Sequence, residues 1–197
     1  MQTDVYNFLA TICYLLLGVV LMLYVITDGF DLGVGILSLF EREEGRRSEM
    51  MAFINGVWDA NDAWLVCFGV ALFGAFPVVC AVALHALYVP IGIMVAALIL
   101  RAVAVMLCGH ARSQRLWSLV FGAGSLVAAL TQGYVLGGAI SGLPVADGQF
   151  TGSVWSWLSS FSTLAALGVA AGYALLGGGY LIIRTREGLQ AANHESV

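Results

Sequence analysis

The chain has 197 residues, 60% of them apolar and only 10% charged, with a formal net charge of −4 and a mean hydropathy of +0.92. Soluble domains carry roughly a quarter charged residues, so this composition excludes a water-soluble globular domain and sends most of the outer surface into lipid. The weak acidic balance and the complete absence of lysine exclude a nucleic-acid partner.

Met1-Gln2-Thr3-Asp4 opens the chain with an acid and no base. A secretory signal would begin with a basic segment and a short apolar core. The first apolar run is longer than that, so a retained transmembrane helix is expected. About 20 apolar residues cross the hydrocarbon core, and five spans are predicted in chain order: 7–28 with a continuation toward 40, 63–84, 88–107, 118–140 and 159–183. All must be helical, because a lone strand cannot satisfy its backbone groups in lipid. The expected fold is an all-α polytopic membrane protein, with a four-helix bundle over residues 1–140, an outer loop at 141–158, a fifth transmembrane helix at 159–183 and a tail at 184–197.

The arginines orient these spans. Arg42, Arg46 and Arg47 follow the first, Arg112 and Arg115 the third, and Arg184 and Arg186 the fifth. Basic loops stay cytoplasmic, so the N-terminus is expected outside and the tail inside. Gly133-x-x-x-Gly137 and Gly168-x-x-x-Gly172 are spaced for close helix packing. Cys13, Cys67, Cys80 and Cys108 show no metal or disulfide spacing and read as small buried residues.

Ionisable groups inside a span are costly and commonly functional. Asp28 and Asp31 lie three apart near the end of the first span, on one helix face. Asn55, Asp59 and Asp62 follow an i, i+4, i+7 stripe at the start of the second. Arg101 sits within the third span and Gln132 within the fourth. At 1.5 Å per residue, Asp28 is about 30 Å beyond Asn7 and Arg101 about 10 Å short of the inner end of its helix. Four acids and one arginine are therefore expected at one level near the cytoplasmic face. One reading is a solvated rim with helix caps and an Arg–Asp tie; the other is a hydrated proton-uptake site.

His85, His110 and His194 fall in an outer loop, an inner loop and the tail. A membrane haem needs axial histidines within the bundle, so no haem held by this chain is expected. Trp58, Trp64, Trp117, Trp155 and Trp157 read as an interfacial aromatic belt. Trp58 also offers a contact to a quinone.

Thr-Asp-Gly-Phe-Asp-Leu-Gly-Val-Gly at 27–35 and Trp-Asp-x-Asn-x-x-Trp-Leu at 58–65 resemble the first- and second-helix signatures of cytochrome bd-type quinol oxidase subunit II. Leu72-Phe73-Gly74-Ala75-Phe76-Pro77, Leu100-Arg101 and Tyr180-Leu181-Ile182-Ile183-Arg184-Thr185 are similar to later segments of that family, in the same order. The resemblance implies a respiratory-chain subunit of the bacterial inner membrane. It implies a haem-bearing subunit I as partner, no haem in this chain, a quinone in some members, and a contribution to cytoplasmic proton supply. Carried over residue by residue, it selects Asp28, Asp31, Asp59 and Arg101. Where an acid often follows the third-helix arginine, this chain has Met106, which breaks the usual route toward Asp59. Family members are also about twice as long, in two similar bundles. A second half or an additional small subunit thus joins subunit I and lipid as expected partners. A small transporter or channel with an intramembrane acidic site is the alternative. It is weakened because Pro77 and Pro90 lie away from the acids.

Overall fold

The computed structural model of the protein describes residues 2–108 and 113–195, with side chains described over 4–108 and 113–184. His110 and Arg112 lie outside the described residues, as do the side chains of Arg186 and His194. The fold is all-α: α1 Gln2–Ser38, α2 Glu44–Ile54, α3 Trp58–Ala75, α4 Pro77–Cys108, α5 Gln114–Ile140 and α6 Ser160–Glu195. Among the described residues, the only strands are β1 Val145–Ala146 and β2 Gln149–Phe150, an antiparallel pair. Four helices are long and apolar enough to cross a membrane: α1 over Asp4–Ser38, α4, α5, and α6 over Ser160–Arg184. The chain is a polytopic all-α membrane protein.

The second predicted span, 63–84, needs correction. Its helix α3 starts at Trp58 and stops at Ala75, because Phe76 leaves helical geometry (φ −134°, ψ 64°). Pro77, which has no N–H to offer a preceding turn, opens α4. Residues 78–84 therefore belong to α4, which bends at Leu87 (φ −119°, ψ 15°) before the third predicted span begins. With Asp59, Asn61 and Asp62 in its first turns, α3 is not among these four long apolar helices. It nonetheless runs alongside α1. Asn61 meets Asp31 near one end, while Leu72 and Phe76 line a groove with Tyr14 and Met22 near the other.

Contacts along the bundle give each helix its direction. Going down α1, Tyr24 meets Gln132 of α5 and Gly35 meets Ser125, so α5 runs antiparallel to α1. Gly29 faces Tyr173 of α6 and Gly33 faces Gly177, so α6 runs parallel to α1. Gly138 faces Leu87 and Gly124 faces Arg101, so α4 runs against α5. Thus α1, α4 and α6 point one way, and α3 and α5 the other.

Backbone proximity explains several glycines. A Cβ on Gly33 would strike the Tyr173 carbonyl, and one on Gly177 the Gly33 backbone. These two glycines let α1 and α6 cross in backbone contact. Gly133 and Gly137 do the same for α5 against Ala166 and Ser162 of α6. Gly168 and Gly172 do not pack as expected: nothing lies within 4 Å of either Cβ position.

Two connections were not foreseen. After α1, Leu39 and Phe40 close a tighter turn onto Ile36 and Leu37, and the chain re-forms a helix in α2. Before α2, the Glu41 carboxylate accepts the Glu43 and Arg42 amides at 3.0 and 2.8 Å. The Glu43 amide above all holds that carboxyl below its usual range. In the 141–158 loop, Asp147 (φ 49°) and Gly148 (φ 72°) form the two-residue turn of the hairpin. That hairpin seats Phe150 in a cluster with Ala86, Leu87 and Trp157. All four cysteines are free thiols.

Candidate functional site: a buried arginine among three carboxyls

The site forms where α1, α3 and α4 meet. On α1, Asp28 and Asp31 are fully buried, and on α4 Arg101 is 1% exposed. Arg101 can sit so deep because its neighbours are small. Ala97 and Ala104 flank it on α4, and Gly124 of α5 faces its backbone with no side chain of its own. Its Nη2 donates to Asp28 Oδ1 and to Asp62 Oδ1, each at 2.8 Å. One guanidinium nitrogen therefore joins all three helices. Beside it, Asn61 Nδ2 donates to Asp31 Oδ2 at 2.8 Å. Asp62 is the outermost member, with 23% of its side chain exposed.

Among the described residues, Asp28 Oδ2, Asp31 Oδ1 and Arg101 Nη1 are buried without a hydrogen-bond partner. An unsatisfied buried polar atom costs about 1–3 kcal/mol, and three of them converge here. The cluster keeps hydrogen-bonding capacity that its own side chains do not use.

The sequence singled out Asp28, Asp31, Asp62 and Arg101, and the fold brings all four together. Asp59 stays apart: it is exposed on the first turn of α3. Three residues on a helix lie about 60° apart around the axis, and the edge of the buried face falls between Asp59 and Asp62. The expected Asn55–Asp59–Asp62 stripe does not exist, because Asn55 caps the C-terminus of α2 and a turn separates it from α3. Asn61, read only as part of a motif, proves to be the hydrogen-bond donor to Asp31. Trp58 is half-buried and packs with Val34, Met51, Ile54 and Phe121. Met106, 65% exposed, points away from the cluster.

Gln132 enters a second polar group that the sequence did not anticipate. Its Nε2 donates to Tyr24 Oη at 2.6 Å, and its Oε1 accepts from Tyr173 Oη at 2.7 Å. The signal for Tyr24 was its place one turn before Asp28, on the same face.

His85 is the one histidine whose side chain is described; it is exposed, near Phe150 (ring centroids 5.7 Å apart), far from the acids. Among the described residues, no group of three His, Cys, Asp or Glu is arranged to hold a metal ion.

Residues 9–196 match the family described as cytochrome bd terminal oxidase subunit II. The chain is 34% identical over 190 residues to cytochrome bd-I ubiquinol oxidase subunit 2 of Escherichia coli K12, covering 91% of this chain and 50% of that protein. It is 30% identical over 194 residues to a probable cytochrome oxidase subunit 2 of Haemophilus influenzae, covering 94% and 51%. It is likewise 30% identical over 161 residues to cytochrome bd ubiquinol oxidase subunit 2 of Bacillus subtilis, covering 79% and 48%. The chain thus spans about half the length of these relatives. With the match extending over nearly all of its residues, the chain belongs to the cytochrome bd terminal oxidase subunit II family.

Proposed function

We propose that this chain serves as the haem-free subunit II of a quinol:oxygen oxidoreductase in the bacterial inner membrane. In this reading it supports a haem-bearing subunit I, holds no complete active site, and supplies protons from the cytoplasm through the Arg101 cluster. The names of its relatives support the oxidase context. The placement of His85 supports a chain that leaves haem to its partner.

The observation that carries the proton role is the composition of the buried cluster. Three carboxyls surround one guanidinium, so the acids outnumber the cation that can balance them. Unbalanced charge in a low-dielectric interior is relieved by binding a proton. Asp62 reaches the surface and also touches Arg101, which makes it the link between outside water and the buried pair on α1. Asp59, exposed one turn earlier, acts as a surface collector for Asp62. The described arginines Arg42, Arg46, Arg47, Arg115 and Arg184 stand at the same end of the bundle, as a cytoplasmic face requires.

Asp62→Asn keeps the shape and the hydrogen bond acceptor while removing the titrating group. In the assembled oxidase, quinol-driven oxygen consumption is expected to fall by about tenfold or more, the scale of losing a proton-transfer group, with haem content unchanged. Normal turnover with normal haem content would remove the proton role.

A further inference from the structure

The Tyr24–Gln132–Tyr173 group lies outside the Arg101 cluster, and the proton role does not use it. It joins α1, α5 and α6 in the interior, with Tyr24 and Tyr173 both buried. Its hydrogen bonds have a direction. The Tyr173 hydroxyl donates to Gln132 Oε1, and Gln132 Nε2 donates to Tyr24 Oη. Tyr24 Oη therefore already accepts a bond, and its own proton is still to be placed. One helical turn on, on the same face of α1, Asp28 Oδ2 is buried with no partner, while Asp28 Oδ1 is taken by Arg101.

We propose that Tyr24, Gln132 and Tyr173 are positioning residues for Asp28: a one-way donor chain whose last proton, on Tyr24, belongs to Asp28 Oδ2. Asp28 then accepts from Arg101 on one oxygen and from Tyr24 on the other. Asp28 is the fixed counter-ion of Arg101, and the proton that moves through the cluster resides on its other acids. The chain also couples α5 and α6 to a site built by α1, α3 and α4. This inference rests on the proton-supply reading for its functional meaning, but not for its test.

The test is infrared titration of the assembled oxidase labelled with 13C-aspartate. The Asp28 band is identified by its loss in Asp28→Glu, which keeps the charge and drops the label. In Tyr24→Phe, Asp28 should bind a proton about tenfold more readily, the effect of losing one hydrogen bond to a charged group. Its protonated-carboxyl band should be stronger than the parent's at the same pH. Tyr173→Phe should act in the same direction and less strongly, since it frees the far end of the chain. An unchanged Asp28 band in Tyr24→Phe, with normal haem content, would overturn the proposal. Should that variant fail to assemble, 3-fluorotyrosine at position 24 keeps the shape and donates more strongly. It should make Asp28 harder to protonate, and an unmoved band there would equally overturn the proposal. The readout does not depend on turnover. If Asp62→Asn leaves turnover intact while the Asp28 band still responds to Tyr24, the proton-supply reading falls and the donor chain stands.

Discussion

Arg101 holds two carboxylates on a single nitrogen while 1% exposed. Removing it would strand Asp28 inside the bundle without its counter-ion, and breaking such a pair from one side costs about 3–5 kcal/mol. Arg101→Met should therefore prevent the chain from accumulating in membranes, as quantitative immunoblotting would read. Parent-level accumulation of a stable Met variant would show that the cluster is not what joins α1, α3 and α4. Asn61 makes a smaller claim: it supplies the one hydrogen bond found for the Asp31 carboxyl among the described residues. Asn61→Leu should lower the stability of the assembled complex by about 1–3 kcal/mol, against a change within about 0.5 kcal/mol for Asp59→Asn at its exposed position. Thermal unfolding of the two variants side by side tests that order. Spacing alone could not rank Asp59 below Asp62, because residues three apart share a helix face and only the packing partner decides where that face ends.

Between elements, the α1–α6 crossing depends on two glycines in backbone contact, whereas the second glycine pair on α6 faces outward. Gly177→Leu should force α6 off α1 and break the Tyr24–Gln132–Tyr173 and Phe30–Tyr180 contacts that flank it. The expected result is loss of the folded chain, seen as aggregation on size-exclusion chromatography. Gly172→Ala, with open space around it, should elute like the parent. Equal behaviour of the two variants would contradict the crossing. The small-residue spacing at 168 and 172 was legible, but spacing cannot reveal whether a partner helix is present. The α3–α4 boundary was misplaced for a related reason. Apolar content runs on through Pro77, so hydropathy joins what the missing proline N–H separates. The helix α2 and the Asp147-Gly148 hairpin were passed over because both lie in stretches where composition shows no sustained period.

At the scale of the molecule, large apolar side chains cover the outside, including most of the first half of α1 from Val5 to Ile26. At about 1.5 Å per residue, α1 is longer than the hydrocarbon core requires. A groove of about 640 Å³ runs between it, α3 and the start of α4. Lipid is one cover for such a surface, and a protein partner is another. On the proposed function that partner is a second oxidase subunit, so the chain is expected to accumulate poorly in membranes unless such a subunit is co-expressed. A monodisperse monomer purified alone in detergent would count against this. The helix directions also make a topological claim. With α1, α4 and α6 parallel, residues 41–50 and the end of α6 lie at one face, so cysteine labelling should find both on the same side of the membrane. Finding them on opposite sides would contradict the bundle.

Hydropathy was enough to establish an all-α membrane protein, the course of its apolar helices apart from the α3–α4 boundary, and an end rich in acids. In lipid, backbone hydrogen bonding permits few other structures, and charge is tolerated mainly at the ends. The motifs at 27–35 and 58–65 were likewise sufficient to point to the family. Only the tertiary structure decided which acids meet Arg101, that Asn61 rather than Asp59 turns inward, and that Gln132 links two tyrosines beside Asp28. Those pairings depend on the rotation of each helix about its axis and on where α3 begins. A shift of a single residue turns a helical side chain by about 100°, and both are set by packing across helices that local sequence does not record.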